Sequence, residues 1–133
     1  MNISRIPIIA LFFSVTVLAD GVTAIQFPTG QSSRTVSASV VRGERDRYSI
    51  IAKQGQTMTV AIYAIEDNAV FNLYAPKYRL QADGSIAGET LPNAGEGDDA
   101  VAWTGVLPSS GRYLIAVGGT RGNASYQLTV TIR

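Results

Sequence analysis

From Thr57 to Ala64 the chain alternates without a break, with Met58, Val60, Ile62 and Ala64 on one side and Thr57, Thr59, Ala61 and Tyr63 on the other. A period of two suits an extended strand with one buried face and one wet face, and it suits no helix. The pattern recurs. Val36, Ala38 and Val40 alternate with Thr35, Ser37 and Ser39; Tyr48, Ile50 and Ala52 open another strand; Tyr126, Leu128, Val130 and Ile132 close the chain against Ser125, Gln127, Thr129 and Thr131. Between these runs lie turn residues. Lys53-Gln-Gly-Gln56 carries Gly55 for a positive φ, and Leu107-Pro-Ser-Ser-Gly111 precedes Arg112 to Val117, so both stretches read as strand, tight turn, strand, in the manner of hairpins. Strands are further expected over Ala69–Ala75 and Ala100–Val106. Lys77–Asp99 has little periodicity and is expected to be a long loop with a short strand near Tyr78 to Leu80. Turn signals about every ten residues predict an all-β fold, an antiparallel β-sandwich of seven to eight short strands.

What precedes the strands is of a different kind. Arg5, the apolar run Ile6 to Leu18 and the small residues Val22-Thr-Ala24 read as an export leader over residues 1–24, leaving a single domain over residues 25–133. The apolar run is shorter than the roughly 20 residues that span a bilayer, so no membrane association is expected after cleavage. The chain has no cysteine. A small exported domain without disulfides must be held by its sheets and core alone, and the expected localisation is periplasmic or secreted. A net charge of +1 gives no reason to expect nucleic acid as a partner. Charge is nevertheless unevenly spread: Arg34, Arg42, Arg45, Arg47 and Lys53 make a basic segment interrupted by Glu44 and Asp46, while Asp83, Glu89, Glu96, Asp98 and Asp99 make an acidic one.

Catalysis has few possible carriers. With no histidine and no cysteine, most nucleophile and base pairs and nearly all transition-metal sites fall away. Glu96 with Asp98 is the one carboxylate pair that glycoside chemistry could use, and it lies on a loop with no apolar pocket to raise either pKa. The same acids are oxygen ligands of the type calcium takes, in an order that matches no tight calcium motif. The chain is therefore expected to be a binding protein, not an enzyme, and to need no cofactor. Trp103 and Tyr113, both on inward faces, are expected to pack rather than to bind.

Several residues in order carry a resemblance: Phe27, Gly30, Ser32 and Ser33; Gly43 before Tyr48; Ala52-Lys-Gln-Gly-Gln56; Phe71-Asn-Leu-Tyr74; Trp103-Thr-Gly105; Leu107-Pro-Ser-Ser-Gly-Arg-Tyr113; and Thr120-Arg121. Together they resemble the periplasmic inhibitors of goose-type lysozyme, which are similar to pre-peptidase C-terminal domains. The resemblance implies a jelly-roll-like sandwich that blocks the active-site cleft of a lysozyme with loop residues. By position the inhibitory hairpin is Gly118 to Asn123. Arg121 matches a basic residue of that loop, with Thr120 and Asn123 beside it. Glu44 and Arg45 belong to the facing turn, Glu44 standing where the family has an aromatic residue. Arg42, Arg45 and Arg47 with Glu44 and Asp46 form a candidate recognition patch next to that hairpin. A guanidinium at a loop tip can meet a cleft carboxylate with two parallel hydrogen bonds. The alternative is a carbohydrate- or cell-envelope-binding module without inhibitory activity, in which Tyr63, Tyr74 or Tyr78 would stack on the rings of peptidoglycan or another glycan.

Overall fold

The computed structural model describes residues 16–17 and 21–133. The leader expected over residues 1–24 lies outside the described residues except for its final segment and a short stretch, Thr16–Val17, before it. The described chain is all strand and turn: β1 (Thr16–Val17), β2 (Val22–Ala24), β3 (Ser33–Val40), β4 (Arg45–Ala52), β5 (Thr57–Ala64), β6 (Ala69–Tyr74), β7 (Arg79–Leu80), β8 (Ile86–Ala87), β9 (Ala102–Val106), β10 (Gly111–Gly119) and β11 (Ala124–Ile132). Eight of these are three residues or longer, in keeping with the expected seven to eight. They form two facing sheets, β1-β2-β4-β10-β6 and β3-β11-β5-β9, with β7 and β8 as a separate small ribbon. All pairs are antiparallel except β2 with β4, which run parallel.

The alternating residues face where the pattern placed them. Met58, Val60 and Ala64 of β5, Tyr126, Leu128, Val130 and Ile132 of β11, and Tyr48, Ile50 and Ala52 of β4 meet in one core with Phe71, Leu73, Tyr113, Ile115 and Val117. On the outer face of the four-stranded sheet, hydroxyls pair across the strands: Thr35 with Thr129 (2.8 Å), Ser39 with Ser125 (2.9 Å) and Ser33 with Thr131 (3.0 Å). Such cross-strand pairs each add a few tenths of a kcal/mol to about 1 kcal/mol.

The turns behave differently from their reading as hairpins. β4 and β5 lie in opposite sheets, as do β10 and β11. Lys53-Gln-Gly-Gln56 does turn tightly, Gln56 donating to the Lys53 carbonyl (3.1 Å) and Gly55 holding φ 89, but it is a corner between layers. Each core strand from β3 to β6, and from β9 to β11, hands the chain to the other sheet. Strand twist and inward apolar faces on both partners make this geometry possible: two strands with one buried face each can pair edge to edge or stack face to face, and here they stack.

The long segment after β6 is pinned rather than free. Leu73 donates to the Ala94 carbonyl (2.9 Å), Leu91 to the Leu73 carbonyl (3.0 Å) and Phe71 to the Ala100 carbonyl (2.9 Å), so residues 90–100 cover the β6 edge of the five-stranded sheet. Leu91, Ala94 and Ala100 are buried there. The expected short strand near Tyr78 to Leu80 is present as β7, paired with β8. That ribbon covers part of the outer face of the five-stranded sheet, where Val22, Tyr74, Leu114 and Ala116 form a second apolar cluster against Tyr78, Leu80 and Ile86.

Candidate functional site

One end of the sandwich gathers the corners β3–β4 (residues 41–44), β5–β6 (residues 65–68) and β10–β11 (residues 120–123), together with residues 95–99. The β10–β11 corner is held from beneath by Asn68, which is buried. Its side-chain nitrogen donates to the carbonyls of Arg121 (3.3 Å) and Asn123 (3.0 Å), and its own carbonyl accepts from Thr120 N (2.9 Å). Asn123 Oδ1 accepts from the backbone of Arg42 (2.7 Å), joining the corner to the β3–β4 turn. Arg121 Nη2 donates to the Glu66 carbonyl. Gly119 has no space for a side chain, since a Cβ there would lie 2.6 Å from the Gly122 carbonyl oxygen. The corner is thus shaped before any partner arrives, which lowers the ordering cost of docking.

Beside this corner an open pocket of about 500 Å³ is lined by Glu44, Arg45, Asn72, Glu96, Asp99 and Thr120, among others. Arg45 crosses its wall. With the Asn72 amide oriented so that its nitrogen faces carbonyls, Asn72 donates to Gly95 O (3.1 Å) and accepts from Arg45 Nη1 (3.3 Å), while Arg45 Nη2 lies 3.4 Å from Glu96 Oε1. Asp98 Oδ2 accepts from Gly95 N (2.8 Å) and braces the acidic turn. The basic and acidic segments of the sequence, far apart in the chain, therefore face each other across one mouth.

Alternation along β4 puts Arg45 and Arg47 on one face and Asp46 on the other. Arg45 turns to the pocket, and Arg47 Nη2 donates to the Gly84 carbonyl in the β7–β8 ribbon. Asp46 points inward, where Tyr126 donates to its Oδ2 (2.6 Å); the Tyr126 oxygen in turn lies 2.6 Å from the Tyr48 hydroxyl. Because the Tyr126 proton is committed to Asp46, the Tyr48 hydroxyl is the donor to Tyr126. Burial holds the Tyr48 pKa above the ordinary phenol value, and burial with the hydrogen bond to Asp46 pushes Tyr126 higher still. This chain of three groups links the two sheets just below the loop end.

Of the five residues singled out from sequence, Glu44, Arg45 and Thr120 line one pocket, Asn123 bonds the corner to the neighbouring turn, and Arg121 sits on the adjoining rim, all of them exposed. The patch expected from Arg42 to Arg47 is divided: Asp46 turns inward to Tyr126, and the Arg47 guanidinium is tied to the Gly84 carbonyl while Arg45 lies at the pocket. Sequence reasoning missed Asn68 and Asn72, and weighed Glu96 only with Asp98 in the acidic segment, not as a neighbour of Arg45. Asn72 had a signal, a polar residue between Phe71 and Leu73 in a strand whose both faces are buried. Of the three tyrosines considered for glycan stacking, Tyr74 is 5% exposed and Tyr78 half-buried, while Tyr63 is 61% exposed beside Ile65, which is 85% exposed. Ile65 adjoins the Glu66 carbonyl that holds Arg121. Trp103 is half-buried against the core and donates from Nε1 to the Pro92 carbonyl (2.7 Å); Tyr113 is fully buried and donates to the Ser109 carbonyl (2.6 Å). Among the described residues no group of three or more acidic side chains is placed to hold a metal ion, and no helix is long and apolar enough to cross a membrane.

No protein-family model and no curated protein matches the sequence. Solved structures do. The periplasmic inhibitor of g-type lysozyme from Aeromonas hydrophila is 34% identical, with a TM-score of 0.65, over 84% of this chain and 96% of that one. The corresponding inhibitor from Salmonella Typhimurium is 23% identical, with a TM-score of 0.59, over 84% of this chain and 97% of that one. The pre-peptidase C-terminal domain of the Bacillus anthracis collagenase, 13% identical over 83% of this chain and 94% of that domain, shares the fold with a TM-score of 0.56.

Proposed function

The chain belongs to the family of periplasmic inhibitors of g-type lysozyme, and on that premise we propose that it is an exported, non-catalytic protein that binds a lysozyme and occludes its active-site cleft with the loop end built around Arg121. The observation that carries this reading is the likeness to the Aeromonas hydrophila inhibitor, which runs through nearly all of that protein. The geometry supports it in a second way. A corner tied down by Asn68 offers an exposed guanidinium whose acceptor, a backbone carbonyl, can be exchanged for a carboxylate of the cleft with a stronger, charge-assisted bond. Ile65, next in the chain to Glu66, and Tyr63 on the adjoining sheet face are exposed apolar side chains, and tyrosine and arginine are among the residues enriched in interface hot spots. Glu44, Glu96 and Asp99 are the acids of the mouth, and Arg45 reaches both Glu96 and Asn72.

The test is inhibition of purified goose-type, chicken-type and invertebrate-type lysozymes acting on cell walls. Inhibition of the goose-type enzyme at micromolar concentration or below is the expected result, with Arg121→Ala weakening it by about tenfold or more while the melting temperature stays put. No effect on any of the three enzymes, with retention on peptidoglycan in a pull-down, would overturn the reading in favour of an envelope-binding module that uses Tyr63.

A further inference from the structure

Two places in the amino-terminal region have valine and alanine at the spacing that export peptidases accept, Val17-Leu18-Ala19 and Val22-Thr23-Ala24. The sequence pattern does not choose between them, and the second sets the domain boundary at residue 25. The fold distinguishes the two. Val22 is 0% exposed. It packs with Tyr74, Leu114 and Ala116 in the cluster under the β7–β8 ribbon, on the face of the five-stranded sheet turned away from the main core. Its strand is hydrogen-bonded in parallel to β4, with Val22 beside Arg47, Thr23 beside Tyr48 and Ala24 beside Ser49, and the chain runs on without a break as Ile25 N donates to the Ser49 carbonyl (2.8 Å).

We propose that the leader is removed between Ala19 and Asp20, so that the mature protein begins at Asp20 and keeps β2. Hydrolysis of that peptide bond by the endopeptidase of the export machinery adds the hydroxyl of water to the Ala19 carbonyl carbon and its proton to the Asp20 amine. Scission after Ala24 would instead strip three residues of ladder from β4, leave the Tyr74, Leu114 and Ala116 cluster open to water on one side, and make β4, a long strand, the edge of its sheet. Scission after Ala19 removes only β1, whose two residues pair with β2, and leaves the three-residue β2 as that edge. A short edge offers little for another chain to pair with.

The experiment is to express the full-length precursor in a Gram-negative host, recover the protein from the periplasm by osmotic shock, and determine its intact mass and amino-terminal sequence. A start at Asp20 is the expected result; a start at Ile25, at Met1 or at any other residue overturns the assignment. Independently, chains made without a leader and beginning at Asp20 or at Ile25 are compared by thermal unfolding. The shorter chain should melt lower by about 5 °C or more, or fail to fold, and equal melting of the two would remove the physical basis of the proposal.

Discussion

The Tyr126 hydroxyl gives its proton to Asp46 and accepts one from Tyr48, so two buried phenols and a carboxylate from opposite sheets form one polar unit. Replacing Tyr126 with Phe keeps the ring packing and leaves Asp46 without its donor; the expected loss of stability is about 1.5–3 kcal/mol, read as a shift of the denaturant midpoint at constant slope. Both phenols have raised pKa values in the fold. Stability from this source is therefore complete below the unfolded-chain value of about 10 and falls as pH rises above it, because only the unfolded chain ionises freely there. Thermal melts between pH 9 and pH 11 should show a steeper decline for the native protein than for a variant carrying Tyr48→Phe and Tyr126→Phe together. An equal slope in both would show that the phenols do not govern the alkaline limit. Tyr126 was legible as an inward residue from its alternation. Its partner was not, because Asp46 sits in a run of alternating charges that reads as a hydrated turn. Extending the β4 alternation back from Tyr48 by two positions puts Asp46 on the inner face, and a buried phenol needs a partner.

At the level of elements, the corners carry most of what distinguishes this sandwich. The β10–β11 corner closes over Gly119 with no room for a methyl group and is held by the Asn68 amide. Asn68→Ala leaves the Arg121 and Asn123 carbonyls without that donor, and it should cost about 1–3 kcal/mol and speed proteolytic cleavage within residues 119–123. Gly119→Ala should weaken lysozyme inhibition with little change in the main core, since the displaced Gly122 carbonyl belongs to the corner that presents Arg121. Inhibition equal to that of the native protein would mean that the corner's shape is irrelevant to binding. The strands expected from the apolar pattern were legible to within two residues, except that β4 begins at Arg45, three residues before Tyr48, where charged side chains hide the period. The pairing of the strands was not legible. A tight turn with glycine looks the same whether it joins neighbours in one sheet or carries the chain from one sheet to the other, and the difference is set by which edges the remaining strands occupy. Residues 90–100 were equally opaque: they are held by backbone bonds to β6, and backbone bonds leave no side-chain period to read.

Over the whole molecule, opposed charges that are distant in sequence meet at one end without strongly binding each other. Arg45 and Glu96 form an exposed pair, and pairs of that type contribute about 0–1 kcal/mol. Glu96→Gln should therefore leave the denaturant midpoint almost unmoved, while any change in lysozyme inhibition would report contact with the mouth; a large loss of stability would mean the pair is structural. The candidate site was partly legible for the same reason of scale. Arg121, Thr120 and Glu44 stand out in the sequence, whereas Asn68 and Glu96 join them only through the closing of the sandwich. One feature of that closing reaches beyond the finished molecule. The strand that sits between β3 and β5 is β11, the last nine residues of regular structure in the chain, and the core strands next to one another in sequence are not partners within a sheet. A ribosome or a translocon thus delivers nearly the entire polypeptide before its four-stranded layer has a centre, and pairings this remote close slowly. Until β11 is in place, β3 and β5 have no shared neighbour, and the four-stranded layer stays open.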